Sequence, residues 1–330
     1  MAENYFALYM LVFFGTFFST VAMERFLIPR LKKCASQPIY IEGPSWHEKK
    51  HGTPTMGGLG FCFSISAFLI AFCAILYLQN SKDEAIGIII SALYALANAL
   101  VGVMDDLKKL KRNKNAGLTP KQKLALQLIL ALAFLFARKT LLFDGSEIYF
   151  SFGKVDLGIF YYPLSLFALL GTVNCANLTD GIDGLATSVA LCSGVAILFI
   201  SASLFKDAAI CACAIMGGCA AFLIFNANPA KIFMGDTGSL FLGALISACV
   251  FSMGNPLLII FICAVYLIEG ISVILQVISY KLTGKRVFLM APLHHHLEKH
   301  GITENKICLI AIIVTLLCSS LGFIIFMPIK

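Results

Sequence analysis

Ten apolar runs, each near the length of a membrane-spanning helix, fill this chain at roughly 5–28, 57–78, 85–104, 122–141, 158–176, 184–204, 208–226, 238–253, 256–280 and 306–327. A helix crossing the hydrocarbon core of a bilayer takes about 20 largely apolar residues. In lipid every backbone N–H and C=O must be paired within the protein, which confines such a chain to a bundle of spanning helices. Composition agrees: 59% of the 330 residues are hydrophobic and 13% charged, where soluble domains carry about 25% charge. The expected fold is therefore an all-α polytopic membrane protein, ten transmembrane helices forming one domain over residues 1–330. The first run, YFALYMLVFFGTFFSTVAM, is long enough to stay in the bilayer rather than be cleaved. The eighth run is short, and its ends are the least defined.

Lysine and arginine are unevenly divided between alternate loops. One set holds eighteen, from Arg30 to Lys306, and the other holds six, among them Lys82, Arg138 and Lys154. The positive-inside rule then places both termini outside and the basic loops in the cytoplasm. This topology signal also accounts for the net charge of +7 without a nucleic-acid partner. In the outer loop EIYFSFGKVDLG, apolar and polar residues alternate around Gly153-Lys154, the pattern of a short β-hairpin. The twelve cysteines lie mainly in apolar runs, with no CxxC pair, and read as small hydrophobes rather than a disulfide or zinc framework.

The acidic residues gather instead of scattering. Asp105 and Asp106 end the third run in GVMDDLKKLKRNKN, Asp180 and Asp183 follow the fifth in NCANLTDGIDGLA, and Asp236 precedes the eighth in NPAKIFMGDTGS. All fall on the cytoplasmic side, and acids at membrane depth mark function. Asn174, Asn177, Asp180 and Asp183 share a three-residue stride, which puts two amides and two carboxylates on one face if the segment is helical. Carboxylates beside clustered lysines suit magnesium and a pyrophosphate, since Mg²⁺ takes one or two carboxylates plus phosphate oxygens and lysines supply point charges. In MGDTGS, Gly235 and Gly238 flank Asp236, with Thr237 and Ser239 as capping candidates. The segment fits either a plain helix N-cap or a metal ligand. No P-loop or GxGxxG is present, so neither an ATPase nor a dinucleotide site is expected.

The run MAPLHHHLEKHG contributes His294, His295 and His296. Neighbouring side chains stand about 100° apart on a helix and on opposite faces of a strand, so three adjacent histidines do not converge on one metal. Pro292 just before them disfavours a helix through the run and implies a rigid loop. A loop histidine titrating near neutrality serves to bind an anion or pass a proton.

The segments GPSWHEKKHGTPTMGG (43–58), DDLKK (105–109), NLTDGIDGLA (177–186), FMGDTGSLFLG (233–243) and MAPLHHHLEKHG (290–301), in this order and spacing, resemble the phospho-N-acetylmuramoyl-pentapeptide transferases of bacterial peptidoglycan synthesis. The acid motifs are shared with the wider superfamily of polyprenyl-phosphate sugar-1-phosphate transferases, whereas GTPTMGG and APLHHH are particular to the muramoyl branch. The resemblance implies a ten-helix enzyme of the bacterial inner membrane, homodimeric, with a cytoplasmic catalytic cleft. It implies transfer of phospho-N-acetylmuramoyl-pentapeptide from UDP-MurNAc-pentapeptide to undecaprenyl phosphate, with Mg²⁺, giving lipid I and UMP. Carried over motif by motif, Asp236 is the principal magnesium ligand, and Asp105 or Asp106 acts on the lipid phosphate as base. Asn174, Asn177, Asp180 and Asp183 face nucleotide and phosphate, and Phe233 offers a surface for uracil. Lys50, Thr55 and Lys123 line the pocket, joined by Lys109 and Lys121. His294 contacts substrate, with His295 and His296 beside it and Gln276 as a further contact. Direct attack and an aspartyl-phosphate intermediate both remain open.

Two other readings compete. A transferase taking a UDP-N-acetylhexosamine without peptide shares the acids but not the histidine run. A cation-coupled transporter would draw on Glu24 and Glu269, although transport carboxylates belong near the midplane and the acid cluster lies at the membrane edge.

Overall fold

The computed structural model describes residues 2–34, 50, 52–112, 117–142 and 144–326. Its helices are α1 (Ala2–Cys34), α2 (Gly58–Leu78), α3 (Lys82–Arg112), α4 (Pro120–Leu141), α5 (Tyr161–Thr179), α6 (Leu185–Ser201), α7 (Lys206–Asn226), α8 (Gly235–Ser252), α9 (Ile259–Ile262), α10 (Ala264–Thr283), α11 (Leu293–Lys299) and α12 (Glu304–Phe326). Among the described residues nine helices are long and apolar enough to cross a membrane, and Leu185–Ser201 is a shorter apolar one. The expected sixth span is thus a helix of 17 residues, rising about 26 Å at about 1.5 Å per residue. It is walled in by protein along most of its length, with Leu185 to Ala190 all buried. The expected ninth span, 256–280, is not continuous. A 3₁₀ turn at Pro256–Leu258 and the one-turn α9 precede α10, which runs on to Thr283.

The apolar pattern also misplaces two helix ends that matter for the site. α3 continues past its apolar stretch to Arg112, so Asp105 and Lys109 stand one turn apart on the same helix and pair at 2.7 Å. α8 opens at Gly235, which brings Asp236 into its first turn. α7 and α8 form the centre of the bundle, their Ala, Gly, Cys and Leu side chains buried on nearly every face. α8 packs chiefly on α3 and α5, and α7 on α1 and α6. Small residues at such interfaces let helix backbones approach closely where lipid provides no hydrophobic drive for association.

The expected hairpin is present. β1 (Glu147–Phe150) and β2 (Gly153–Asp156) pair antiparallel, with Tyr149 opposite Lys154. Glu147 accepts from Lys154 Nζ and from Tyr149 OH. The Ser151 N–H donates to the carbonyl of Ile325, which ties the hairpin to the far end of α12 at 2.8 Å. All twelve cysteines are free thiols.

Candidate active site

Four helices bring their polar ends together at Asp236. The N-terminus of α4 is set by a capping box in which Thr119 Oγ1 accepts from the Gln122 N–H and Gln122 Oε1 accepts from the Thr119 N–H, with Pro120 opening the helix. That start places Lys123 in the first turn. Its Nζ lies 2.6 Å from Asp236 Oδ2 and donates to Asn177 Oδ1 of α5 at 3.1 Å. Lys109 of α3 reaches the other carboxylate oxygen, Oδ1, at 3.0 Å. Asn177 in turn donates to Ser239 Oγ of α8 at 2.8 Å. Asp105 is held from both sides, Oδ2 by Lys109 and Oδ1 by the Leu118 N–H at 2.6 Å.

Asp106 caps α8 from outside the helix. Its Oδ1 accepts from the Asp236 N–H at 3.1 Å, and its Oδ2 from the Thr237 N–H at 3.0 Å and the Thr237 hydroxyl at 2.7 Å. These first-turn donors have no partner within their own helix, and a carboxylate there also meets the positive end of the helix dipole. Neither capping candidate in MGDTGS therefore caps: Thr237 is itself the donor to Asp106, and Ser239 bonds back to the Gly235 carbonyl. Gly235 has φ +70°, and a Cβ there would come within 2.7 Å of Asp106 Oδ2 and 3.0 Å of Thr55 Oγ1. Thr55 is buried beside this turn. The Phe233 N–H donates to the Pro54 carbonyl and the Phe233 carbonyl accepts from Gly57, so residues 54–58 and 233–234 brace one another.

The shared stride of Asn174, Asn177, Asp180 and Asp183 does not survive as one face. α5 ends at Thr179, and Asp180 to Gly184 form a turn. Asn174 points between helices, donating to Gln127 Oε1 of α4. Asp183 turns toward a second ionic cluster. Lys50 Nζ lies 2.7 Å from Asp183 Oδ1 and 2.8 Å from Glu304 Oε1 at the start of α12, while Asp183 Oδ2 accepts from Asn228 and the Ala230 N–H. Burial works against the Lys50 charge, but its bonds to Asp183 and Glu304 outweigh that and hold its pKa above the usual lysine value. The Asp180 carboxylate accepts no hydrogen bond among the described residues. Burial, reinforced by the charges of Asp236, Asp106 and Asp183, pushes its carboxyl up to about 8.

The histidine run is helical, not a loop. Pro292 immediately precedes α11, where its fixed φ is tolerated and no intrahelical N–H is lost. The His294 and His295 rings pack edge to face with centroids 4.2 Å apart, but the three histidines turn to different partners. His294 is fully buried, its ring Nδ1 3.2 Å from Glu269 Oε2 of α10. His295 Nδ1 lies 2.7 Å from Glu298, and His296 Nδ1 accepts from the Leu289 N–H at 3.1 Å. Gln276 accepts from the Val287 and Phe288 N–H groups and donates to the Phe288 carbonyl, which pins the segment leading to α11. Lys121 is exposed on the first turn of α4 and stands apart from these clusters.

Glu304 and Asn228 have no counterpart among the residues singled out from sequence. Glu304 lies 121 positions from Asp183, so no local spacing links them. Glu269 stands out in sequence only as an intramembrane acid, and its partner His294 is 25 positions away.

Comparison with known proteins bears on this geometry. The model of glycosyl transferase family 4 matches residues 88–254, the stretch from α3 to α8 that holds Asp105, Asp106, Lys109, Lys123, Asn177 and Asp236. The phospho-N-acetylmuramoyl-pentapeptide-transferase of Clostridium perfringens (strain SM101 / Type A) is 44% identical over 306 residues, 90% of each chain. That of Clostridium kluyveri (strain ATCC 8527) is 41% identical over 313 residues, covering 93% of this chain and 96% of the relative. That of Desulfitobacterium hafniense (strain DSM 10664 / DCB-2) is 39% identical over 327 residues, covering 93% and 94%. The chain belongs to glycosyl transferase family 4, in its phospho-N-acetylmuramoyl-pentapeptide-transferase branch.

Proposed function

We infer that the protein transfers phospho-N-acetylmuramoyl-pentapeptide from its UDP-linked donor to undecaprenyl phosphate, yielding lipid I and UMP. The observation that carries this reading is the Asp236 cradle. One carboxylate at a helix N-terminus holds two lysines from two other helices, all at the ends of apolar spans, where a soluble sugar nucleotide can meet a lipid phosphate. In this reading ten spans, counting Leu185–Ser201, leave both termini outside and the cradle facing the cytoplasm, within a homodimer in the bacterial inner membrane.

Among the described residues no three His, Cys, Asp or Glu side chains converge on a metal position. The single Asp236 carboxylate at the head of α8 is the candidate ligand for magnesium, which takes few protein carboxylates and completes its shell with substrate phosphates and water. Asp236 would hold it, beside Asp180. When bound, Mg²⁺ supplies positive charge to the pyrophosphate oxygens that gain charge as UMP departs.

The lipid phosphate needs little activation, because it is already largely ionised near neutral pH. Its oxygen attacks the phosphorus that bears the sugar, and the bond from that phosphorus to the bridging oxygen of UMP breaks. Displacement at phosphorus asks mainly for positioning and charge neutralisation. Lys109 and Lys123 pass from Asp236 to the anionic phosphate oxygens. Asp106 holds the α8 N-terminus in place, and Phe233 offers a face to uracil. The Lys50–Asp183–Glu304 cluster fixes the turn that carries Asp180. The test is to offer the detergent-solubilised protein UDP-MurNAc-pentapeptide or UDP-N-acetylglucosamine, each with undecaprenyl phosphate and Mg²⁺. Lipid I and UMP are expected from the first alone; product from the second alone would overturn the reading.

A further inference from the structure

His294 is enclosed, with no exposed surface, so its influence on chemistry must pass through what it touches. Besides the neighbouring His295 ring, whose centroid lies 4.2 Å away, two groups bracket it. On one side Glu269, itself buried, accepts from the His294 backbone N–H with both oxygens, at 3.1 and 3.2 Å, and places Oε2 3.2 Å from the ring Nδ1. That backbone N–H lies in the first turn of α11 and has no intrahelical acceptor, so Glu269 anchors the helix start from which the ring projects. On the other side the ring Nε2 presses on Gly181, where a side-chain Cβ would overlap it. Gly181 directly follows Asp180, whose carboxylate accepts no hydrogen bond among the described residues. Neither His294 ring nitrogen makes a hydrogen bond among the described residues, so the two backbone bonds to Glu269 and the close packing at Gly181 are what hold the ring in place.

We propose that Glu269 is a positioning residue: by fixing His294 through its backbone N–H, it holds Nε2 against Gly181 and so sets the place of Asp180 beside Asp236. This rests on the transfer reaction inferred above. The Glu269–His294 pair is a wedge between α10 and the aspartate turn, and the absence of a Cβ at Gly181 gives the wedge its seat. Misplacing a site by about 1 Å from outside the chemistry costs up to about 100-fold in rate, which sets the scale of the effect.

Glu269→Gln tests this with little change of shape. The glutamine oxygen still accepts the His294 N–H, but its NH₂ group cannot, so one of the two bonds anchoring the start of α11 is lost. Expected are a kcat lowered about 10- to 100-fold with KM for both substrates nearly unchanged, and a shift of the His294 backbone amide resonance in the ¹⁵N spectrum. The double variant E269Q/H294N should be no slower than H294N alone, because both substitutions cut the same linkage. Losses that multiply in the double variant, a wild-type kcat in E269Q, or an unchanged His294 amide resonance would each overturn the proposal. If E269Q does not fold, Glu269→Asp decides. Its shorter carboxylate still accepts the His294 N–H but draws His294 from Gly181, so kcat should fall, and a wild-type kcat would refute the idea. Wild-type protein that yields no lipid I would instead overturn the reaction itself, and the ¹⁵N arm would still decide whether Glu269 holds the start of α11.

Discussion

Replacing Asp106 by alanine should destabilise the protein before it affects any chemical step. The Asp106 side chain is buried and satisfies three donors at the start of α8, the N–H groups of Asp236 and Thr237 and the Thr237 hydroxyl. The hydroxyl can rotate to another acceptor. The Thr237 N–H belongs to a fully buried residue, and the Asp236 N–H to a half-buried one that water can reach. An unsatisfied buried donor costs about 1–3 kcal/mol, and loss of an N-cap about 0.5–2 kcal/mol. Together these give about 1.5–5 kcal/mol for Asp106→Ala. Thermal denaturation in detergent, followed by fluorescence-detected size exclusion, should rank wild type above Asp106→Asn and Asp106→Ala lowest. The asparagine keeps one acceptor oxygen but turns an NH₂ toward another donor. Turnover should fall with stability, since Asp236 moves with the helix start. An Asp106→Asn protein as stable as wild type yet inactive would refute the reasoning, because it would place Asp106 in proton transfer rather than in holding α8.

Lys123→Ala should lower turnover by about 100-fold, the scale for losing a preorganised cation at a phosphoryl centre, whereas Lys121→Ala, exposed two residues away, should stay within about twofold; a kinetic comparison at saturating substrate decides. Gly181→Ala should lose activity with its fold retained, read as turnover against thermal midpoint, because the new Cβ overlaps His294 Nε2. Lys50→Met leaves Asp183 and Glu304 facing one another and should cost about 3 kcal/mol, the lower end for breaking a buried pair, since Lys50 keeps some exposure. The raised Lys50 pKa makes that contribution full at neutral pH and lost only as pH climbs beyond the ordinary lysine value of 10.5, so melting curves of wild type and Lys50→Met should keep a constant gap from about pH 6 to about pH 9. Gln276→Ala frees three backbone bonds of the segment before α11 and should raise KM for the sugar nucleotide more than it lowers kcat in steady-state assays.

Hydropathy alone located the spanning helices, because apolar length is a local property. It misjudged helix ends where polar residues continue the helix at the bundle edge. α3 runs on through DDLKKLKR because Asp105 and Lys109 pair along it and Asp106 finds its donors on α8. The acids of the site were legible as motifs, but the bonds that give each its task were not. Asp106 and Asp236 are 130 positions apart, and nothing in DD or GDTGS indicates that one caps the helix bearing the other. The three-residue stride through Asn174 and Asp183 was misleading for a related reason: a carboxylate that bonds Lys50, Asn228 and Ala230 is directed by tertiary partners after the helix has ended. Pro292 was read as a helix breaker, although a proline just ahead of a first turn costs that helix nothing.

α12 is fastened at both ends, by Ile325 to the hairpin and by Glu304 to Lys50 and the Asp183 N–H. Its 23 residues measure about 34 Å at about 1.5 Å per residue. A free helix of that length adapts to bilayer thickness by tilting. This one cannot lean far without straining one of its fastenings, and the fastening at Glu304 is the ionic cluster that holds the aspartate turn. A change in lipid thickness would then pull on Glu304, and turnover should register the length of the acyl chains around the protein.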